Sequence, residues 1–222
     1  MNFDIGVILA KGPQILSGLG VTVLIWIAGT FLAAALGFVI ATARHYGGPL
    51  IGAVLAIPVE VLRGTPFLVQ IFLLYFGGPY IGITLDPIPA GLLGLSVYGA
   101  AYYAEIFRAG YQSVPPGHVE AADCLGFSRG QTVLRILLPE MALIVLPPAV
   151  NMAIILLKET ALLSLITVPE MTLTVQAIGS QQYAFLESLV VLALVYWALV
   201  ELAGTLGRLA ERYFSRYRLA LK

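Results

Sequence analysis

The amino-acid sequence predicts an all-α membrane protein in a single domain, residues 1–222, with about five transmembrane helices. Of its 222 residues, 59% are hydrophobic and only 11% are charged, whereas soluble domains are about 25% charged. Long apolar runs recur along the chain, and one long polar passage divides them. The formal net charge is zero, which argues against a nucleic-acid-binding surface.

Five apolar runs approach or exceed the length of about 20 residues that a helix needs to cross the hydrocarbon core. They lie at about residues 15–43, 50–76, 88–111, 141–157 and 186–206. The first is too long for a signal-peptide core and no basic cluster precedes it, so we interpret it as a membrane helix. Gly64, Thr65 and Pro66 interrupt the second run and can break its helix. Residues 161–168 are apolar but too short to span, and we expect an interfacial or re-entrant segment there.

The long polar passage, residues 113–139, predicts two short helices with a corner between them. Pro115 and Pro116 cannot continue a preceding helix, but proline suits the first turn of a new one. Gly126 stands where this helix can end in a left-handed residue, which glycine adopts at no steric cost. A second helical run, residues 128–138, is expected to end at Pro139.

The placement of lysine and arginine predicts the orientation of the chain. With the amino terminus outside and the carboxyl terminus in the cytoplasm, most of the 12 basic residues lie inside. They are Arg44, Arg108, Arg129, Arg135, Arg208, Arg212, Arg216, Arg218 and Lys222. The polar passage is then cytoplasmic.

The sequence contains no recognisable motif for a catalytic or metal-binding site. It has no Gly-x4-Gly-Lys-Ser/Thr loop for phosphate, and its carboxylates are scattered singly. Cys124 is the single cysteine, and neither of the 2 histidines has a ligand partner at a useful spacing. We therefore predict no catalytic residues, no metal site and no cofactor in this chain.

Between Glu120 and Pro139 the polar passage has the spacing EAA-x3-G-x9-I-x-L-P. This spacing resembles the coupling loop of permease subunits of ATP-binding-cassette (ABC) importers. The resemblance implies a type I ABC importer permease fold with a cytoplasmic coupling helix. It also implies which residues couple the permease to an ATPase: Gly117, Glu120, Ala121, Ala122 and Gly126. Read without the resemblance, the same stretch is a connecting loop with a helix cap.

Four further stretches resemble permeases of the polar amino-acid uptake family of bacterial ABC importers, the histidine-, glutamine- and arginine-type systems. They are residues 60–70 (EVLRGTPFLVQ), 104–110 (AEIFRAG), 113–117 (SVPPG) and 157–162 (LKETAL). The sequence Lys-Glu-Thr-Ala at 158–161 departs from the Lys-Asp-Thr-Ser that we expect more often, so it leaves the carried amino acid open.

The resemblance also implies partners and a location. The chain would form the translocation path with a second permease, identical or paralogous, in the bacterial cytoplasmic (inner) membrane. Two cytoplasmic ABC ATPases would bind ATP and Mg²⁺, and an extracytoplasmic amino-acid-binding protein would deliver the solute. ATP hydrolysis would then occur in a partner, and this chain would not be an enzyme. A secondary transporter for a small polar solute is the alternative function, although no inverted repeat is visible.

An amino acid brings a carboxylate and an ammonium group into the membrane, and both need polar partners there. The candidate partners are Glu60, Arg63, Asn151, Lys158, Glu159 and Thr160. In one hypothesis Arg63 binds the substrate carboxylate, while Glu159 or Asn151 meets the ammonium group. In the other, Glu60 pairs with Arg63 and Lys158 with Glu159, and these ion pairs hold helices or subunits together.

Overall fold

The computed structural model describes residues 6–219, without the side chains of residues 7, 9 and 214–219, and the described elements are all helical. In chain order they are α1 (Gly6–Leu9), α2 (Gly12–Tyr46), α3 (Gly48–Gly64), α4 (Phe67–Phe72), α5 (Pro87–Ser113), α6 (Pro116–Cys124), α7 (Arg129–Thr132), α8 (Leu138–Glu159), α9 (Met171–Gln181) and α10 (Phe185–Leu219). A π turn (Leu73–Gly77) and a 3-10 turn (Gly78–Ile81) follow α4. A second π turn (Val133–Leu137) joins α7 to α8, and a 3-10 helix (Thr160–Ile166) follows α8. Lys222, which entered the orientation argument, lies outside the described residues.

The centre of the bundle is the contact between α2 and α5. Gly29, Ala33 and Gly37 are buried on one face of α2. A Cβ atom at Gly37 would lie 2.5 Å from the Cβ of Tyr103 and 2.8 Å from the backbone nitrogen of Ala104. The two backbones can approach this closely because small residues recur at a four-residue spacing, which is a common packing device in membranes.

Helix α5 covers the predicted third span and is enclosed by protein. It packs against α2, α3, α4 and α8, and most of its residues from 94 to 104 are buried. A helix that contacts protein on most sides does not need an apolar surface. Among the described residues, the helices long and apolar enough to cross a membrane alone are Gly12–Tyr46, Arg129–Ile166 and Phe185–Tyr213. The enclosed position of α5 explains why α5 is not one of them.

The predicted second span is a broken helix. α3 ends at Gly64, α4 begins at Phe67, and the segments Gly48–Gly64 and Phe67–Ile81 meet at an angle of 104°. Thr65 has φ −115° and ψ 144°, the extended conformation that a residue before proline prefers. The break predicted at residues 64–66 is therefore confirmed.

The helical run predicted at residues 128–138 does not end at Pro139, so that expectation is wrong. α7 continues through the π turn, in which the N–H of Leu138 donates to the carbonyl of Val133, and Pro139 lies in the first turn of α8. The wider π turn just before Pro139 accommodates the proline ring and its missing N–H. The result is one continuous helical segment, Arg129–Ile166, of 38 residues.

The apolar segment at residues 161–168 packs into the bundle along one side. Leu163, Ile166 and Val168 are fully buried, whereas Leu165 is 50% exposed. Its expected interfacial or re-entrant position stays a prediction. The segment ends at Thr167, whose φ of 62° is left-handed. The N–H of Val168 then donates to the carbonyl of Leu163 at 3.2 Å, which turns the chain toward α9.

Candidate functional site

The predicted coupling stretch contains α6 and a sharp corner after it. α6 ends at Cys124, and Gly126 has a φ of +75°. The N–H of Phe127 donates to the carbonyl of Ala122, and that of Gly126 to the carbonyl of Asp123, both at 3.0 Å. These two bonds form a Schellman motif, whose left-handed position favours glycine. The positive φ expected at Gly126 is therefore confirmed.

The corner leads into a capped and continuous helix. Ser128 and Gln131 form a capping box, in which the amide oxygen of Gln131 accepts from the N–H of Ser128 at 2.8 Å. The hydroxyl of Ser128 accepts in turn from the N–H of Gln131 at 3.4 Å. Because α7 runs without interruption into α8, a displacement of the corner can be transmitted along α8 through the backbone.

Side chains also tie α6 to the neighbouring helices. Nδ1 of His118 lies 2.8 Å from Oε2 of Glu140, in the first turn of α8. Val119 packs against a buried apolar cluster that includes Tyr111 and Met141. α6 thus contacts the end of α5 and the first turn of α8.

The five predicted coupling residues differ in exposure. Gly117, Glu120, Ala121 and Gly126 are exposed, so a partner can contact them. Ala122 is 2% exposed and packs against its own chain, so a change there would act through the position of α6. The part these residues play in docking an ATPase stays a prediction.

A cluster of charged side chains joins α2, α3 and α5 around Glu105. Nη1 of Arg44 lies 2.5 Å from Oε1 of Glu105, and Nη2 of Arg108 lies 2.7 Å from Oε2 of the same carboxylate. Nη1 of Arg63 is farther away, at 3.9 Å from Oε2. The prediction that Glu60 pairs with Arg63 is wrong. α5 packs against α3 and brings Glu105 to Arg63, whereas Glu60 is exposed. Three guanidinium groups share this carboxylate.

Polar side chains satisfy the carbonyl groups that the broken helix leaves unpaired. The side-chain amide of Gln70 donates to the carbonyl of Leu62 at 2.7 Å and to that of Thr65 at 3.1 Å. The hydroxyl of Tyr102 donates to the carbonyl of Arg63 at 3.3 Å. The corner between α3 and α4 is therefore fixed by residues from α4 and α5.

A line of polar side chains extends from this corner along α5. The guanidinium of Arg63 lies 5.6 Å from the ring centroid of Tyr102, a cation–π distance. The hydroxyls of Tyr102 and Tyr98 are 3.5 Å apart. Arg63, one of the predicted path residues, is thus connected to two tyrosines of α5.

The other predicted path residues are less closely grouped. Glu60, Asn151 and Lys158 are exposed, whereas Thr160 is buried and its hydroxyl donates to the carbonyl of Leu157 at 2.6 Å. Within the described part of the chain, Lys158 and Glu159 form no ion pair. Consecutive side chains diverge by about 100° around a helix, so the expected pairing of these two is not observed.

Sequence reasoning gave no role to Gln70, Tyr102 or Glu105. Each is a polar side chain inside or near the end of an apolar run, where polar groups need partners. That signal was present in the sequence. What the sequence did not contain was the packing that decides which partner each group finds.

Comparison with known proteins identifies the family. The family described as "Binding-protein-dependent transport system inner membrane component" matches residues 29–216. The chain belongs to this family. The matched range contains the broken helix, the Glu105 cluster and α6.

Individual relatives match along nearly the whole chain. YckA of Bacillus subtilis (strain 168) is 35% identical over 97% of this chain and 95% of its own length. The arginine transport system permease protein ArtQ of the same organism is 32% identical over 96% of this chain and 97% of its own. A solved structure of an amino acid ABC transporter with histidines has a TM-score of 0.86 and 31% identity, and the match covers 96% of this chain and 100% of that chain. The predicted type I ABC importer permease fold is therefore confirmed.

Proposed function

We propose that this chain is the membrane-spanning permease subunit of an ATP-driven amino-acid uptake system. The observation that carries the proposal is α6 with its Gly126 corner, in a fold that matches an amino acid ABC transporter over 96% of the chain. The name of ArtQ, an arginine transport system permease, supports an amino-acid substrate. The family description, which names a binding protein, favours this function over a secondary transporter.

The proposed complex contains two permease subunits, identical or paralogous, two cytoplasmic ATPases and an extracytoplasmic amino-acid-binding protein. ATP and Mg²⁺ bind the ATPases, which carry out the hydrolysis. The amino terminus lies outside and the carboxyl terminus in the cytoplasm, so α6 faces the ATPases. Large exposed apolar residues on α10, such as Leu194, Trp197 and Leu202, suit contact with lipid or with the second permease.

The proposed substrate path passes the corner between α3 and α4. Arg63 binds the substrate carboxylate, and Glu159 or Asn151 meets the ammonium group, while Glu60, Lys158 and Thr160 are the remaining candidates. Arg63 suits this role because its ion pair with Glu105 is the longest of the three, at 3.9 Å, and its side chain is 40% exposed. A discontinuous membrane helix beside such a residue is a common feature of transport sites.

The test uses the complete complex in proteoliposomes with its binding protein. Arg63→Gln and Glu159→Gln are expected to assemble and to keep the ATPase stimulated by the binding protein. Uptake should fall about tenfold or more, since each change removes a charge-assisted contact worth about 1.5–3 kcal/mol. Glu201→Gln, the same chemical change on α10, should transport normally.

The outcomes distinguish the proposed role of Arg63 from the proposed function of the chain. Normal uptake by assembled Arg63→Gln would remove Arg63 from the path and leave the proposed function intact. If the wild-type chain yields no complex whose ATP hydrolysis responds to an amino-acid-loaded binding protein, the proposed function itself is wrong.

A further inference from the structure

A pocket of about 240 Å³ adjoins the Glu105 cluster. It is lined by Arg44, His45, Gly52, Arg108 and Gln112. These residues belong to the last turns of α2 and α5 and to the first turns of α3. The pocket therefore lies at the end of the bundle from which α6 emerges.

The side chains around this pocket carry an excess of positive charge. Arg44 and Arg108 line the pocket and both pair with Glu105, and in the described part of the chain they have no other carboxylate within ion-pair distance. Two guanidinium groups against one carboxylate leave one positive charge uncompensated. Their side chains are only 15% and 37% exposed, and a charge partly withdrawn from water is costly unless it is neutralised. The pocket therefore favours a bound anion.

The chemistry of the wall indicates which anion fits. Guanidinium groups match phosphate oxygens with two parallel hydrogen bonds. Nη1 of Arg108 donates to Oε1 of Gln112 at 2.9 Å, which holds this guanidinium against the pocket wall. His45 stacks on Tyr111 with ring centroids 4.6 Å apart, so the wall is ordered on that side as well.

The position of the pocket indicates the source of the phosphate. Arg44 follows directly on the apolar run 15–43, and Arg108 lies within a turn of the end of the run 88–111, which is the depth of lipid headgroups. Leu50, Val54 and Ile57 on α3 are exposed large hydrophobics, so acyl chains can lie close to the pocket. Basic pockets between membrane helices on the cytoplasmic side bind acidic headgroups.

We propose that this pocket binds a phosphate group, supplied by the headgroup of an acidic phospholipid. The site is separate from the substrate path, and it does not depend on which solute the transporter carries. Inorganic phosphate is the other possible source of the same chemistry, and the experiment distinguishes the two.

The test compares two leucine variants of neighbouring residues. At Gly52 an added Cβ would meet only the carbonyl oxygen of Arg44, at 3.7 Å, so Gly52→Leu fills the pocket without changing any charge. Ala53 is exposed, and Ala53→Leu places the same side chain on the same turn outside the pocket. Arg108→Gln removes one guanidinium while Arg44 still pairs with Glu105.

The assay uses the purified complete transporter. Native mass spectrometry measures retained phosphatidylglycerol against phosphatidylcholine, and thermal denaturation is followed with and without inorganic phosphate. Wild type and Ala53→Leu should retain phosphatidylglycerol selectively. Gly52→Leu and Arg108→Gln should bind it at least about tenfold more weakly, as expected when a charge-assisted contact is lost or blocked.

Each result assigns or rejects the site. Inorganic phosphate could instead protect wild type against thermal denaturation but fail to protect Gly52→Leu. If wild type also shows no selective retention of phosphatidylglycerol, the site binds soluble phosphate. Equal retention of phosphatidylglycerol by wild type, Gly52→Leu and Arg108→Gln would overturn the proposal. So would a wild-type protein that responds to neither probe.

Discussion

The hydroxyl of Tyr196 on α10 donates a hydrogen bond of 3.0 Å to Oε2 of Glu170, at the start of α9. Glu170 is 0% exposed and caps α9, since its carboxylate accepts from the backbone N–H groups of Thr172 and Leu173 at 2.9 and 2.8 Å. The hydroxyl of Thr22 on α2 lies 3.5 Å from the same Oε2. One buried carboxylate thus joins α9 to the following helix, α10, and to α2, which is distant in sequence.

Removing this carboxylate should destabilise the protein strongly. Glu170→Ala deletes a helix cap and leaves the Tyr196 hydroxyl without this partner, and we expect a loss of about 2–4 kcal/mol. Tyr196→Phe removes this hydrogen bond and the one between the same hydroxyl and that of Thr172, and should lose about 1–2 kcal/mol. Thermal denaturation of the purified complex measures both. Equal melting temperatures for Glu170→Ala and Tyr196→Phe would show that the cap contributes nothing.

The same group predicts a pH dependence of stability. Burial raises the pKa of the Glu170 carboxyl above its ordinary value of 4.5, although hydrogen bonds from Thr172 and Leu173 act in the opposite direction. A carboxyl with a raised folded-state pKa stabilises most below its unfolded value, and this contribution is lost as the pH rises through the raised value. Melting temperatures of wild type, measured upward from pH 4.5, should therefore fall relative to those of Glu170→Gln. A constant difference between the two would contradict the prediction.

The corner after α6 predicts a loss of coupling when Gly126 is replaced. A β-branched residue is strained at φ +75°, so Gly126→Val should shift α6 relative to α8. We expect normal insertion in the membrane, uptake reduced about tenfold or more because such strain costs about 1–3 kcal/mol, and an ATPase that no longer responds to the binding protein.

Two matched variants control for this result. Gly130→Ala adds a Cβ that meets nothing within 4 Å, at a glycine without positive φ, and should transport normally. Gly126→Asn should retain part of the activity, because asparagine tolerates the left-handed region. Normal uptake by Gly126→Val would make the stretch a simple connector.

The sequence predicted the parts of the fold that depend on local chemistry. Apolar length predicted helices, Pro66 predicted the break between α3 and α4, and Gly126 predicted the left-handed corner. At these sites one residue type constrains its own backbone. Pro139 was misjudged because its effect depends on the π turn that precedes it, and nothing in the local composition indicates that turn.

The partners of charged residues could not be predicted in the same way. Arg63 has Glu60 one turn away, yet it pairs with Glu105 on another helix. The choice depends on the packing of α5 against α3, a tertiary contact. Glu170 received no role for the same reason, since the importance of its carboxylate comes from Tyr196 and Thr22, which are far away in the sequence.

The proposed orientation can be tested by cysteine labelling. In a Cys124→Ser background, Lys11→Cys should react with a membrane-impermeant maleimide in intact spheroplasts, and Glu211→Cys should react only after permeabilisation. The reason is the excess of basic residues in the segments that lie on the same side of the membrane as the carboxyl terminus. Opposite accessibility at both positions would reverse the orientation and place α6 outside, away from any cytoplasmic ATPase.

The corner between α3 and α4 predicts a phenotype for Gln70. Gln70→Leu keeps the size and apolar surroundings but removes both donors to the carbonyls of Leu62 and Thr65. We expect a stability loss of about 1–3 kcal/mol and a lower maximal uptake rate, because Arg63 is no longer held beside Tyr102. The amount of binding protein needed for half-maximal uptake should not change, since the change lies within the membrane. Val69→Leu, an exposed neighbour on α4, should behave as wild type. A fully assembled Gln70→Leu complex with a normal uptake rate would show that the amide is not needed to hold the corner.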